Sequence, residues 1–224
     1  MMKLKHLLVT QIATALVGTY VANKTMQQEQ LQTIKGSYGR YLTINGLKMC
    51  YEKRGSGNET MLLLPGLGES SPVLSYRPLA SELAKNHTVI TLEPFGYGIS
   101  DDTSDTRNIE NITEEIHTAV HLLGLNNYIL VAHSISGIYC QYYMNRYPDE
   151  VKAFIGLDTT VYQAREYLDG MKINLAFSYL RRIESNLGIM KLMTMLDEDK
   201  YLPVTPNYEY TEKEKKLNQQ IGRA

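Results

Sequence analysis

Apolar and polar residues alternate with two different periods along this chain, and each period predicts its own kind of element. Short apolar runs at Thr60 to Leu64, Thr88 to Leu92, Tyr128 to Val131 and Val151 to Leu157 are typical of strands that are covered on both faces. Segments with helical spacing separate these runs. The alternation predicts an α/β fold with a central, mostly parallel sheet.

Helical spacing is clearest after Asn111, which we expect to cap a helix that Gly124 ends. The apolar positions of this helix follow the spacing of a core-facing stripe: Ile112, Ile116, Ala119, Val120 and Leu123. Further helices are predicted from Pro72 to Lys85 and from Ile135 to Arg146.

A β-hairpin is predicted near the start of the folded region. The strands Tyr41 to Ile44 and Leu47 to Glu52 flank the pair Asn45 and Gly46. Asn-Gly is the pair that best tolerates positive φ at both turn positions, so it favours a tight turn there.

The N-terminal segment resembles a secretory signal or a weak signal anchor. Lys3 and Lys5 precede an apolar run from Leu7 to Ala22, which is short for a full membrane span. We expect an uncleaved anchor, and hence a membrane-anchored or secreted, extracytoplasmic protein. The alternative is an amphipathic helix that packs on the domain.

These patterns divide the chain into four predicted segments. Residues 1–24 form the signal peptide or anchor, 25–39 a polar tether, and 40–160 an α/β core. Residues 161–224 carry apolar faces on predicted helices and are expected to form a helical lid or cap. Plain helix packing is the simpler explanation of the same faces.

Composition excludes several classes of protein. The 23 basic and 24 acidic residues form no basic stripe, so we expect no nucleic-acid partner. The two cysteines, Cys50 and Cys140, make no disulfide framework and are expected to be buried free thiols. The oligomeric state is not predicted.

A serine stands at the joint between a predicted strand and a predicted helix. In Val131-Ala132-His133-Ser134-Ile135-Ser136-Gly137, small residues lie two before and two after Ser134, as a nucleophile elbow requires. Such a turn holds the serine at the carboxyl edge of the sheet, where the N–H of Ile135 faces a developing oxyanion. A serine that only caps the helix is the alternative.

A glycine-rich turn follows the third predicted strand, at Leu64-Pro65-Gly66-Leu67-Gly68. Its glycines let the backbone turn its amides toward a substrate, so the Leu67 N–H is the second candidate oxyanion donor. A similar loop, Glu93-Pro94-Phe95-Gly96-Tyr97-Gly98, follows the fourth strand.

Together and in this order, the PGLG, EPFGYGISD, VAHSISGIYCQYYMNRYPDEV and AFIGLD segments resemble the α/β-hydrolase fold family. The resemblance is closest to membrane-tethered or secreted bacterial members whose elbow reads HSxSG. It implies helices on both faces of the sheet, a helical lid, Ser134 as nucleophile, and the amides of Leu67 and Ile135 as oxyanion hole. Pro65 and Glu93 depart from the family's usual histidine and aspartate.

The resemblance also implies an acid and a histidine base. Asp158 follows its strand where some families place the acid, although the sequence favours the simpler role of an aspartate that caps the next turn. No histidine follows Ser134, because the five are His6, His87, His117, His121 and His133. A serine hydroxyl without a base is a poor nucleophile.

The expected function is therefore that of a serine hydrolase acting on carboxylic esters or related acyl substrates, with its catalytic histidine absent from this chain. We expect the last strands to be missing and the chain to be a truncated product or fragment of a longer hydrolase. The alternative is a non-catalytic relative that binds an apolar ligand or a partner.

No cofactor and no metal are expected. His117 and His121 have the i, i+4 spacing that can hold a metal on a helix, but no third ligand is evident in the sequence. A solvated helix flank is the simpler interpretation.

Overall fold

The computed structural model describes residues 2–160, 187–188 and 208–222. The chain divides into two compact units, of which the larger comprises residues 35–170 and 204–209. The smaller unit contains helix α1 (Met2–Ile34) and helix α6 (Glu212–Gly222), which contact each other. Most of the predicted lid, residues 161–224, lies outside the described residues.

Helix α1 runs without a break across the predicted boundary between anchor and tether, so the polar residues 25–34 are helical. Along the described chain, no helix combines the length and the hydrophobicity that crossing a membrane requires. The anchor and the extracytoplasmic location stay predictions.

The larger unit is built on one sheet of six strands. These strands are β1 (Arg40–Ile44), β2 (Leu47–Arg54), β3 (Thr60–Leu64), β4 (Thr88–Glu93), β5 (Tyr128–His133) and β6 (Val151–Leu157). Their spatial order is β1-β2-β4-β3-β5-β6; β1 and β2 pair antiparallel, β2 runs antiparallel to β4, and the rest are parallel. The predicted mostly parallel sheet is confirmed.

The predicted hairpin is also confirmed. Asn45 and Gly46 connect β1 to β2 with φ angles of +51° and +83°, the left-handed values that an Asn-Gly turn supplies at low steric cost.

Side chains of the central strands are buried on both faces of the sheet, as the continuous apolar runs predict. In β3, Leu62 and Leu64 join a core that includes residues of two helices, α4 (Ile109–Leu122) and α5 (Ser136–Arg146). The alternating Met61 and Leu63 pack on the opposite face in a second core.

Two helix predictions need correction. Asn108, not Asn111, caps α4, because the Asn108 side chain accepts a hydrogen bond from the Asn111 N–H at 2.8 Å. The single helix predicted over residues 72–85 is two helices, α2 (Pro72–Ser75) and α3 (Arg77–Leu83). Pro78 has no N–H to continue the hydrogen-bond pattern of α2, so the helix is interrupted there.

The two cysteines are free and buried, as predicted. Strand β6 pairs with β5 alone among the described strands and so forms one edge of the described sheet. Its apolar Ile155 is 40% exposed.

Candidate active site

Ser134 occupies a strained turn between the last residue of β5 and the first residue of α5. Its φ is +52°, a left-handed value that costs a non-glycine residue on the order of 1–3 kcal/mol. Three backbone hydrogen bonds hold the turn: the Ser134 N–H donates to the Leu157 carbonyl, and the Ser134 carbonyl accepts from Gly137 and Thr160. This strand-turn-helix geometry is the context that a nucleophile elbow requires.

Small residues around Ser134 are needed for close packing. A Cβ atom at Gly137 would lie 2.5 Å from the Thr160 carbonyl oxygen and 2.6 Å from the Thr159 side chain. Ser136 is 2% exposed, and its hydroxyl donates a hydrogen bond to the Pro65 carbonyl. This bond joins the elbow to the loop that follows β3.

Gly66 brings that loop against the elbow. A Cβ atom at Gly66 would lie 2.7 Å from the His133 Nδ1 atom and 3.3 Å from the Ser134 Cβ atom. The Tyr76 hydroxyl lies between the two segments, because it accepts from the Gly66 N–H at 3.3 Å and is 3.0 Å from His133 Nδ1. The sequence offered no signal for this role of Tyr76.

The two candidate oxyanion donors lie in these adjoining segments. Leu67 follows Gly66 and is 78% exposed, and Ile135 follows Ser134. Neither N–H has an acceptor within the part of the chain that the structure describes. Both residues line one cavity of about 910 Å³.

The cavity has mostly apolar walls with a few polar groups, which is the usual composition of a small-molecule site. Its apolar and aromatic side chains come from the end of β3, the loop after β4 and helices α4 and α5: Leu64, Phe95, Tyr97, Ile112, Ile116 and Tyr139. Charged groups enter from Glu69, Asp102 and Arg107. The two residues after Ser134, Ile135 and Ser136, and the loop after β3 therefore adjoin a space large enough for a small molecule.

Glu93 organises the loops around this cavity, although its side chain is fully buried. Its carboxylate accepts hydrogen bonds from the Ser71 hydroxyl at 2.7 Å, the Ile99 N–H at 3.0 Å and the Val73 N–H at 3.2 Å. The Tyr38 hydroxyl donates to it at 3.2 Å. Burial raises the pKa of the Glu93 carboxyl, and these hydrogen bonds oppose the rise.

The glycine-punctuated loop after β4 wraps around this carboxylate. A Cβ atom at Gly98 would overlap it, at 2.2 Å from the Glu93 Cδ atom, and the φ of Gly98 is +53°. Glycine is therefore required both for the backbone conformation and for the space. Phe95 and Tyr97 of the same loop line the cavity.

Asp158, the candidate acid, follows β6 and is exposed, with a φ of +47°. Its carboxylate has no hydrogen-bond or ion-pair partner among residues 2–160, 187–188 and 208–222. The structure places it at the carboxyl end of a parallel strand, as the sequence indicates, and its role as the acid stays a prediction.

The described histidine side chains have other partners than Ser134. His133 contacts Tyr76, His87 lies 3.1 Å through Nδ1 from the Leu83 carbonyl, and His117 and His121 both approach Glu150. Among the described residues, the Ser134 hydroxyl has no hydrogen-bond partner.

Comparison with known proteins identifies the family. The sequence profile of the α/β-hydrolase fold matches residues 59–184, which is more than half of the chain. The chain belongs to the α/β-hydrolase fold family. The predicted fold class is thereby confirmed.

Similar proteins include hydrolases. The chain is 31% identical to the uncharacterised protein YbdG of Bacillus subtilis over 143 residues, 63% of this chain and 44% of YbdG. It is 27% identical to 2-(acetamidomethylene)succinate hydrolase of Mesorhizobium japonicum over 154 residues, 66% of this chain and 54% of that protein. The chain spans about half the length of these curated relatives.

A solved structure agrees with this assignment. The crystal structure of E-2-(acetamidomethylene)succinate hydrolase matches with a TM-score of 0.54 at 18% identity, and the match covers 83% of this chain and 63% of that structure. At this level of identity the similarity concerns the fold alone.

The close approach of Gly66 to the elbow can be tested by a single methyl group. We expect Gly66→Ala to lower the free energy of unfolding by about 1–3 kcal/mol, because the new Cβ overlaps the His133 ring and the two segments must separate. Urea denaturation of the purified chain measures the change.

Gly68→Ala is the matched control for this substitution. A Cβ atom at Gly68 meets nothing within 4 Å, although φ there is +79°, so this variant reports backbone strain without overlap. A Gly66→Ala variant as stable as the wild type would contradict the close packing of Gly66 on the elbow.

Proposed function

We propose that this protein is a serine hydrolase that acts on carboxylic esters or related acyl substrates, with Ser134 as the nucleophile. The observation that carries the proposal is the strained, left-handed Ser134, held between β5 and α5 at φ +52°. Strain of this kind persists only where the surrounding structure enforces it, and it clusters at active sites.

The proposed chemistry is acyl transfer in two steps. The Ser134 oxygen attacks the carbonyl carbon while a base accepts its proton, and the carbonyl oxygen becomes an oxyanion that the N–H groups of Leu67 and Ile135 stabilise. The tetrahedral intermediate then expels the alcohol, which takes up the proton. Water hydrolyses the acyl-serine by the same path.

The base is the one part that the present sequence does not supply. No histidine follows Ser134, and the preceding ones with described side chains are engaged elsewhere. In the proposed mechanism Asp158 would orient a histidine that approaches the carboxyl edge of the sheet.

A second candidate function is ligand binding without catalysis. The cavity of about 910 Å³ favours it, because apolar walls suit a small apolar ligand. The two candidates differ in whether Ser134 can be acylated.

The test supplies the missing base from solution. We expect imidazole, added to the purified chain with p-nitrophenyl acetate, to raise the rate of p-nitrophenol release about tenfold or more above that of imidazole alone. The increase should saturate with imidazole concentration, because the base must occupy the space beside Ser134. Mass spectrometry of quenched samples should locate an acetyl group on Ser134.

Ser134→Ala and Ser136→Ala are the paired controls. Ser136 is two residues away and its hydroxyl donates to the Pro65 carbonyl, so its loss leaves the proposed nucleophile in place. Rescue that survives in Ser134→Ala, or an acetyl group found only on other residues, would refute the serine hydrolase proposal and favour the binding function.

A further inference from the structure

Three side chains converge on one point at the C-terminal half of helix α4. His117 and His121 lie one turn apart on that helix, and Glu150 ends the 3₁₀ turn (Pro148–Glu150) that precedes β6. The fold thus brings the Glu150 carboxylate to the histidine pair, although Glu150 is 29 residues from His121 and 33 residues from His117 in the sequence. The third ligand that the sequence does not reveal is present in the tertiary structure.

The three donor atoms form a nearly equilateral triangle. His117 Nε2 lies 3.1 Å from Glu150 Oε1, His121 Nε2 lies 3.2 Å from the same oxygen, and the two Nε2 atoms are 3.0 Å apart. Three tetrahedral ligands bonded to one Zn²⁺ at about 2.0–2.2 Å stand about 3.3–3.6 Å from one another, so each edge of this triangle is within a few tenths of an ångström of that spacing. The triangle therefore has the dimensions of one face of a metal coordination sphere.

Hydrogen bonds alone cannot satisfy all three edges of this triangle. A neutral imidazole Nε2 is either a donor or an acceptor, and an ionised carboxylate only accepts. If both histidines donate to Glu150, two N–H groups face each other at 3.0 Å. If one histidine donates to the other, the acceptor imidazole turns a lone pair toward the carboxylate. A cation at the centre pairs with all three lone pairs at once.

We propose that His117, His121 and Glu150 form a binding site for a divalent transition metal ion, with Zn²⁺ as the ion that suits the donors best. Two imidazoles and one carboxylate are a common Zn²⁺ ligand set, and water completes a tetrahedral site of this kind. Mg²⁺ and Ca²⁺ prefer oxygen donors and are not expected to bind.

Neighbouring side chains hold two of the ligands in place. The Tyr143 hydroxyl donates a hydrogen bond to Glu150 Oε2 at 2.6 Å, which leaves Oε1 directed at the histidines. The Tyr147 ring stacks on the His117 imidazole, with centroids 3.7 Å apart and planes 3° from parallel. Such outer partners fix the orientation of metal ligands.

Exposure leaves room for water on one side of the site. The side chains of His117 and Glu150 are each 21% exposed, whereas that of His121 is 60% exposed. The bound ion would join α4 to the turn that leads into β6, so it should stabilise the larger unit.

The experiment is a Zn²⁺ titration of the purified 224-residue chain, without a histidine tag and freed of metal by a chelator. We expect the chain to withdraw about one equivalent of Zn²⁺ from a chromophoric indicator. Zn²⁺ at a hundredfold excess over its Kd should also raise the melting temperature by about 5 °C or more. Mg²⁺ should do neither.

The loss of Zn²⁺ affinity in each variant should depend on whether the variant removes a ligand or a residue that positions a ligand. His121→Asn and Glu150→Gln should weaken Zn²⁺ binding more than a hundredfold, because each removes a ligand, whereas Tyr143→Phe removes an outer partner and should cost about 10- to 100-fold. His87→Asn and Glu82→Gln are the matched controls with unchanged affinity, because Glu82 is exposed and pairs with Lys85, away from the three ligands. Circular dichroism verifies that each variant folds.

Two results would overturn the proposal. The wild-type chain could fail to withdraw Zn²⁺ from the indicator, or His121→Asn, whose side chain is mostly exposed, could bind Zn²⁺ as tightly as the wild type. In either case the triangle would be a hydrogen-bonded cluster only.

Discussion

The purified 224-residue chain is expected to hydrolyse p-nitrophenyl esters with a kcat on the order of 10⁶-fold lower than that of a serine hydrolase with a complete triad. A neutral serine hydroxyl must lose its proton as it attacks, and none of the described imidazoles is placed to accept that proton. Substrate binding and the oxyanion hole alone still give a rate roughly 10³- to 10⁴-fold above that of the reaction in water. Initial-rate measurements with the purified chain give the value.

The positions of the described histidines are the physical reason for this expectation. His87 precedes β4, which runs parallel to β5 through their common neighbour β3, so it lies at the opposite edge of the sheet from Ser134. A six-residue strand spans about 20 Å. His133 is adjacent in sequence, but its Nδ1 atom lies 3.0 Å from the Tyr76 hydroxyl.

Ser134→Ala should change the residual rate of this chain less than about tenfold. Members of a catalytic triad act as a unit, so when the base is absent the loss of the nucleophile costs little more. Without imidazole the substitution should therefore change the hydrolysis rate little. With imidazole it should abolish the increase in rate that imidazole causes. Turnover at the level of a complete enzyme that Ser134→Ala abolishes would show that the chain contains its own base.

Glu93→Ala is expected to lower the free energy of unfolding by about 4 kcal/mol or more. The substitution leaves the N–H groups of Val73 and Ile99 and the hydroxyl of Ser71 buried without their acceptor. Each unsatisfied buried donor costs about 1–3 kcal/mol. Urea denaturation followed by circular dichroism measures the loss.

Two further variants separate the contributions to this loss. Glu93→Gln keeps the shape of the side chain but turns an NH₂ group toward hydrogen-bond donors. Its loss in free energy of unfolding should therefore lie between those of Glu93→Ala and Glu82→Ala. Glu82→Ala removes an exposed carboxylate paired with Lys85 and should cost less than about 0.5 kcal/mol. A loss in Glu93→Ala no larger than that in Glu82→Ala would contradict the role assigned to the buried carboxylate.

The same carboxyl group predicts a pH dependence of known sign. Burial raises the pKa of Glu93 above the unfolded value of about 4.3, so between the two pKa values the folded protein retains a proton that the unfolded chain has released. The contribution of Glu93 to stability is therefore greatest below pH 4 and declines as pH rises through the folded pKa. The stability difference between wild type and Glu93→Gln should follow this trend, and a rising difference would contradict it.

Local patterns were sufficient to predict most of the scaffold around the site. Apolar runs, helical spacing and the Asn45-Gly46 turn predicted the strands, helix α4 and the hairpin, because each depends on neighbours in sequence. Small residues on both sides of Ser134 predicted the elbow for the same reason, since a tight turn constrains its own residues.

Contacts across the fold were not predictable in this way. Gly66 and Tyr76 meet His133 only after strands β3 and β5 pair in the sheet. Glu93 stood out as a departure from the family pattern, but its donors come from residues that the sequence places up to 55 positions away. Even locally, the cap of α4 was predicted at Asn111, whereas the hydrogen-bond geometry places it at Asn108.

The sequence by itself determined the fold class and the tight turn at Ser134, since both depend on residue type and short-range spacing. Tertiary structure alone decided which distant groups share one place: Glu93 with its donors, and Glu150 with His117 and His121. The physical reason is that hydrogen bonds and coordination require contact within about 3 Å. Spacing along the chain does not specify which residues packing will bring that close.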